Sequence, residues 1–271
     1  MPAFTDQLGR TIVLPGIPRR IISLVPSQTE LLYTLGLDAS VVGITKFCVH
    51  PESWFRTKTR IGGTKAIDAS RIDALQPDLI IANKEENDRH QVEALAGRYP
   101  VWVSDIKTLP DALDMIRSVG AITGTTTAAD TLAADIAHRF NKLKTAPFAA
   151  GYQTAPHRLR AAYLIWRNPW MAAGGDTFIH HMLEQAGFLN LFDTQNRYPA
   201  IDLNSMAHAD CQVILLSSEP YPFRQQHIDE IKEVIPHASI LLVDGELFSW
   251  YGSRLLLAPD YFRQLRERLT L

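Results

Sequence analysis

Ala128-Ala-Asp-Thr-Leu-Ala-Ala-Asp-Ile-Ala-His-Arg-Phe-Asn-Lys-Leu-Lys144 lies near the middle of the chain, and its reading decides how the rest is divided. Leu132, Ile136, Phe140 and Leu143 recur at helical spacing, with Ala133 and Ala137 beside them. Asp130, Asp135, His138 and Lys142 fall elsewhere on the surface. Thr126 or Thr127 can cap the first turn, and the charge of Asp130 suits a helix amino end. Pro147 and Gly151 mark the stop. Taken alone this is an ordinary amphipathic helix. It gains weight because the sequence before it and the sequence after it follow one plan.

Before the helix, Phe4 to Leu14 reads as a small hairpin turned at Asp6-Gln-Leu-Gly9. Ile21-Ile-Ser-Leu-Val25 is a short apolar run of the kind buried in a parallel sheet. Ser27-Gln-Thr-Glu30 reads as a capping box opening a helix that stops at Gly36. Val41 to Ile44 is the next strand, and Thr45 to Thr64 is loop-like, a usual place for ligand contacts. A short helix from Asp68 to Leu75, a strand from Asp78 to Ala82, a helix to about Arg98, a strand from Pro100 to Val103 and a helix from Leu109 to Thr123 complete this half.

After the helix the plan returns. Arg160 to Ile165 is a strand, and Trp166 to Gly175 is a loop. Asp176 is placed to cap a helix stopped by Gly187, and Ile201 to Ala209 is a short helix. Gln212 to Leu216 is a strand, Ser217 to Phe223 a loop, and a helix runs through Ile228 and Ile231. A strand from Ser239 to Val243, a loop from Asp244 to Gly252 and a helix from Pro259 to about Leu269 follow. The pattern predicts an α/β protein of two Rossmann-like lobes with parallel sheets, joined by a single long backbone helix. The expected division is 1–125 for one lobe, 126–146 for the helix and 147–271 for the other. Ligands of such sheets bind beyond the carboxyl ends of the strands, so the expected site is a cleft between the lobes.

Bulk properties exclude several functions. Of 271 residues, 46% are apolar and 21% charged, as in a globular protein. A net charge of −2 without a Lys/Arg run gives no nucleic-acid footprint. No apolar stretch approaches the roughly 18 residues of a membrane helix, so no membrane insertion is expected. The start, Met1-Pro-Ala-Phe-Thr-Asp6, lacks a basic region followed by an apolar core. The protein is therefore expected in the cytoplasm, or else an export signal has been removed. Cys48 and Cys211 are too far apart and too few to form a disulfide framework.

The loops after the strands carry many aromatics: Phe47 and Trp54 in the first half, and Trp166, Trp170, Tyr221, Phe223, Phe248, Trp250 and Tyr251 in the second. Any one of them can simply fill a core. Together, and with Trp and Tyr prominent, they favour a broad, flat, mostly apolar ligand over a sugar or an ion. Cys48-Val-His50 offers a thiol and an imidazole, but two ligands do not close a metal site. His50 can instead give one axial ligand to a metal already held in a macrocycle. His180-His181 lies within a helix, which directs the rings to different faces. Ser27, Lys65, Asn83 and Lys84 are residues that bind anions, although Ser27 also suits plain capping. Glu85, Glu86, Glu219 and Glu246 read as loop acids. There is no G-x-S-x-G, P-loop or H-E-x-x-H, and the Gly174-Gly175 pair is weak as a phosphate signal.

Arg20-Ile-Ile-Ser-Leu-Val-Pro-Ser-Gln-Thr-Glu30, Leu75-Gln-Pro-Asp-Leu-Ile-Ile81 and Asp244-Gly-Glu-Leu-Phe-Ser-Trp-Tyr-Gly-Ser-Arg254 resemble the ABC-transporter substrate-binding proteins with a helical backbone. That group includes vitamin B12-binding proteins and iron-siderophore and haem receptors. Lys46 to Pro51, Asn83 to Asn87, Gly174 to Ile179 and Ser217 to Phe223 are similar to the branch called helical backbone metal receptors. The resemblance implies a monomer that needs no cofactor and holds a corrinoid, haem or ferric siderophore. It implies an ABC permease as partner and the periplasm as location. By match to the B12-binding branch, Phe47 stands where an aromatic faces the corrin ring, and Phe248 to Trp250 stand where a second aromatic loop does. The loops and the resemblance together give the expected ligand-binding set Phe47, His50, Lys65, Trp166, Trp170, Tyr221, Phe223, Phe248, Trp250 and Tyr251, with His50 as the candidate axial metal ligand. Such proteins dock to the permease through a glutamate on each lobe. Here the first position is Arg89, which would repel the permease arginines, and the second falls near Asp202. A cytoplasmic tetrapyrrole or metal-handling protein, or a chelatase-like enzyme using His50 with Glu219 or Glu246, is the alternative.

Overall fold

Short apolar runs separated by Gly and Pro leave little choice but strands buried on both faces, and the computed structural model, which describes residues 1–145 and 158–269, has two such sheets. At the amino end, β1 (Ala3–Thr5) and β2 (Thr11–Val13) pair as an antiparallel hairpin. The Asp6 carboxylate accepts from the Leu8 and Arg10 amides at 3.0 and 2.8 Å and closes its turn. β3 (Ile21–Ser23), β4 (Val41–Ile44), β5 (Thr59–Arg60), β6 (Leu79–Asn83) and β7 (Val101–Ser104) form a parallel sheet in the order β5-β4-β3-β6-β7. Ile22 faces Ile80, and Ile80 faces Val101. Every residue of β3, β6 and β7 is buried.

Helices follow the strands: α1 (Pro26–Thr34), α2 (Glu52–Thr57), α3 (Ala69–Leu75), α4 (Arg89–Ala96) and α5 (Leu109–Thr123). The capping box expected at Ser27 to Glu30 is not formed. Val25 is the N-cap and makes no side-chain cap, because Pro26, which has no N–H to satisfy, takes the first turn. Glu30 is committed to Arg254 instead. The expected loop from Thr45 to Thr64 contains α2 and the edge strand β5, both too short to show a period.

α6 (Thr126–Thr145) is the long helix expected from the central stretch. Ala129, Leu132, Ala133, Ile136 and Phe140 form its buried stripe. The stops expected at Pro147 and Gly151 lie outside the described residues.

In the second half, β8 (Arg160–Trp166), β9 (Met171–Ala172), β10 (Leu189–Asn190), β11 (Val213–Ser217) and β12 (Ser239–Val243) build a second sheet in the order β10-β8-β11-β12. The pairings along that path are parallel, and β9 folds back antiparallel on β8. The helices are α7 (Phe178–Gln185), α8 (Leu203–His208), α9 (Gln225–Val234), α10 (Glu246–Ser249) and α11 (Ala258–Glu267). Thr177, not Asp176, caps α7 by accepting from the His180 amide at 3.1 Å, and Asp176 accepts from the Arg197 amide. Gly187 ends the turn with φ +81°, and a Cβ there would lie 1.6 Å from the Arg266 guanidinium.

The chain divides into two units. The first holds Met1–Ile106, Pro110–Ile136 and Trp250–Arg254, and the second holds Lys107–Leu109, Ala137–Ser249 and Leu255–Leu271. The boundary thus falls inside α6 rather than at its ends. In the first unit the helix is met by Gly120, where a Cβ would lie 2.2 Å from that of Ala129. In the second, Phe140 meets Phe262 edge-on at 6.4 Å. α6 is not the only crossing, because five residues from near the carboxyl end belong to the first unit.

Candidate functional site

In a parallel sheet all strands end on one edge, so the loops after them gather there. In the first unit the loop after β4 runs from Thr45 to Pro51. Cys48 anchors it from inside. Its thiol is fully buried and lies 3.1 Å from the hydroxyls of both Thr29 and Thr45. Burial pushes the thiol above its ordinary range and favours its protonated form. With Cys48 turned inward, Phe47 and Val49 are left 50% and 42% exposed, and His50 is half-buried. Trp54, on α2, is core; it meets Tyr33 edge-on at 5.4 Å.

A network of amides and hydroxyls fixes the neighbouring loops. The Asn83 side chain accepts from the Glu85 and Glu86 amides at 2.8 and 2.9 Å and donates to Ser104 Oγ at 2.9 Å. Gln28 donates to the same hydroxyl at 2.6 Å. Asn87 accepts from the Asn83 amide at 2.8 Å and donates to the Leu24 and Thr64 carbonyls at 3.2 and 3.1 Å. The ammonium of Lys65 is exposed and donates to the carbonyls of Glu85 and Asn87, tying two loops together. Lys84 pairs with Asp105. Of the residues read from the sequence as anion-binding, Asn83 and Lys65 thus bond the backbone of this edge, and Lys84 pairs with a carboxylate side chain.

In the second unit aromatics do the equivalent work. Trp166 is the last residue of β8 and Trp170 lies in the loop after it, while Tyr221 and Phe223 come from the loop after the adjacent strand β11. Trp166 meets Tyr221 edge-on at 5.6 Å, Tyr221 meets Phe223 at 4.8 Å, and Phe223 stacks on Trp170 at 5.9 Å with planes 2° apart. The set grades from inside to outside. Phe223 is buried in the core with Leu216 and Ile231, Trp170 and Tyr221 pack half-buried against it, and Trp166 is 41% exposed. Arg167 donates to Glu230 at 2.9 and 2.8 Å and lies 5.4 Å from the centre of Trp170. The phenol of Tyr221 lies 3.2 Å from His227 Nε2. Arg167, His227 and Glu230 brace the set and were not singled out from the sequence, because their role depends on a neighbouring strand's loop.

Phe248 is a correction. It is fully buried, 5.1 Å from Tyr163 and 4.7 Å from Phe262, and so belongs to the core of the second unit rather than to a site wall. Beside it the Tyr163 phenol donates to Ser217 Oγ at 3.0 Å, and burial pushes its acidity far below the ordinary. Trp250 and Tyr251 belong to the first unit and are 7% and 6% exposed. Trp250 meets the His50 ring edge-on at 5.7 Å.

The remaining sequence candidates form no centre. Glu219 accepts from Ser249 Oγ at 2.9 Å, whereas Glu246 opens α10. His180 and His181 do not diverge; each has a ring nitrogen 3.8 Å from the same Glu184 oxygen. Asp202 caps α8 by accepting from the Ser205 amide at 2.9 Å, which holds its carboxyl below the usual range. Arg89 opens α4 and pairs with Glu93 at 2.7 Å. Among the described residues no group of three or more His, Cys, Asp or Glu is arranged to hold a metal ion, and no helix is long and apolar enough to cross a membrane.

Comparison with known proteins agrees with this layout. The vitamin B12-binding protein of Pectobacterium carotovorum subsp. carotovorum (strain PC1) is 25% identical over 258 residues, covering 94% of this chain and 90% of that one. The crystal structure of the periplasmic vitamin B12-binding protein BtuF of Vibrio cholerae superposes with a TM-score of 0.79 at 21% identity, over 94% of this chain and 99% of that one. The periplasmic heme-binding protein RhuT from Roseiflexus sp. RS-1, in apo form, superposes with a TM-score of 0.77 at 20% identity, over 93% and 99%. The model of the periplasmic binding protein family matches residues 21–236, so this two-lobed chain, with ordered loops gathered at the carboxyl ends of its parallel strands, belongs to the periplasmic binding proteins.

Proposed function

We propose that the protein is the substrate-binding component of an ABC importer, acts in the periplasm, and captures a bulky metal chelate: a corrinoid, haem or a ferric siderophore. The observation that carries this reading is the graded aromatic set Phe223, Trp170, Tyr221 and Trp166, which ends in an exposed indole at the carboxyl end of β8. A ring system laid on such a wall buries large apolar area without needing a charged partner. In the first unit, exposed Phe47 and Val49, with half-buried His50, offer a further apolar surface on a strand-end loop. The B12-binding and heme-binding relatives support the same ligand class. Binding leaves the ligand chemically unchanged, as befits a family of binding proteins.

Docking to the permease is read from charge. Asp202 is exposed and held ionised by Ser205, and Arg89 is exposed but already paired with Glu93. The permease surface that receives this protein therefore carries a base for Asp202 and no dense basic cluster for α4.

The test is a thermal-shift panel of cyanocobalamin, hemin and a ferric hydroxamate siderophore, with each ligand recovered and identified afterwards. One of them should raise Tm at stoichiometric concentration and return intact. Trp166→Ala should then weaken that ligand about tenfold or more while changing apo stability by only about 1 kcal/mol or less. Absence of any shift, or turnover of porphyrin and metal, would sink the reading.

A further inference from the structure

We infer that Glu30, Arg254 and Trp250 are positioning residues for His50, and that they fix the imidazole at the ligand-facing end of the loop after β4. The inference rests on the proposed binding role of that loop.

The segment Trp250–Arg254 belongs to the first unit although its chain neighbours on both sides belong to the second. It lies close against the first turns of α1. A Cβ on Gly252 would lie 2.7 Å from the Ser27 carbonyl oxygen, so only glycine lets the backbone come this near. Two residues on, Arg254 donates from Nε to Glu30 Oε2 at 2.9 Å and from Nη2 to Glu30 Oε1 at 2.7 Å. This two-bond geometry fixes the guanidinium plane as well as its position. The side chains are 13% and 21% exposed, against 85% and 50% for the Arg89–Glu93 pair, so water competes far less here.

The ordered guanidinium then holds a ring. Arg254 Cζ lies 4.9 Å from the centre of the Trp250 indole. Trp250 in turn meets the His50 ring edge-on at 5.7 Å and 68°. A run of contacts therefore leads from α1 through Glu30, Arg254 and Trp250 to His50. Trp250 is 7% exposed and offers little surface, while His50 is half-buried beside exposed Val49 and Phe47. The indole is thus placed to support the imidazole rather than to form the wall itself. Holding a polar ring in one orientation before the ligand arrives removes an ordering cost from binding.

The experiment uses the full chain and two readouts. The His50 ring resonances are followed by NMR without ligand, assigned by their loss in His50→Ala. Affinities for hemin and for cyanocobalamin are measured separately. Glu30→Gln should shift the His50 resonances and weaken whichever probe binds by about tenfold, since it removes a shielded charge-assisted pair. In a His50→Ala background the same change should add nothing. Arg254→Lys, which keeps the charge but loses the planar two-bond contact, should behave likewise and decides the matter should Glu30→Gln fail to fold. Unmoved His50 resonances, or losses that add across the two backgrounds, overturn the inference. If neither probe binds the unmodified protein, the proposed function has failed, and the ligand-free resonances still decide whether the positioning exists.

Discussion

The two strand-end edges solve the same problem with different chemistry. The first unit orders its loops with amides and hydroxyls: Gln28, Asn83, Asn87 and Ser104 share a buried network, and even its thiol is held by two threonines. The second unit orders its loops with stacked rings whose innermost member is core. A polar network is directional and gives one geometry or none. A ring cluster can slide and repack at modest cost. The first edge is thus fixed by directional bonds, and the second by ring packing that tolerates small shifts.

The largest test of this contrast is Phe223→Ala. It removes a nearly buried ring from the second core and should cost about 3–5 kcal/mol in urea unfolding. A loss near 1 kcal/mol would mean that the rings are surface decoration. Next is Asn87→Ala. It strands the Asn83 amide and two carbonyls and should cost about 2–3 kcal/mol; a neutral result would show that the first edge does not depend on its network.

The smallest effect concerns the thiols, which sharpen the comparison from within. Cys211 sits among apolar side chains, and burial raises its thiol to about 11. A folded pKa above the unfolded one stabilises fully below the unfolded value and is lost as pH rises toward the folded value. Stability should therefore fall between about pH 9 and pH 11, and Cys211→Ala should flatten that fall while changing little at neutral pH, measured by urea midpoints at each pH. An unchanged slope would show that Cys211 is solvated.

Much of the fold was legible because short apolar runs such as Ile21–Ser23 and Val213–Ser217, cut by Gly and Pro, permit few structures. The two-residue strands β5, β9 and β10 carry no period and were invisible. The capping box failed because Pro26 claimed the first turn and Glu30 had a stronger partner far along the chain. Aromatic content pointed to rings that meet in the fold, since Trp166, Trp170, Tyr221 and Phe223 cluster. It could not rank the rings by burial, because Phe248 and Trp166 look alike until the helix over Phe248 is in place. Nothing local announces that Arg254 belongs with Glu30.

The placement of Trp250–Arg254 bears on how such a gene can be cut and recombined. The first lobe is encoded in separate stretches, the last of them deep in what looks like the coding region of its neighbour. A truncation before Trp250 would spare the whole first sheet yet remove part of the first lobe itself. A chimera spliced within α6 would set a foreign segment against Glu30 and Ser27. The halves share a plan, but each includes a segment from the other's stretch of chain.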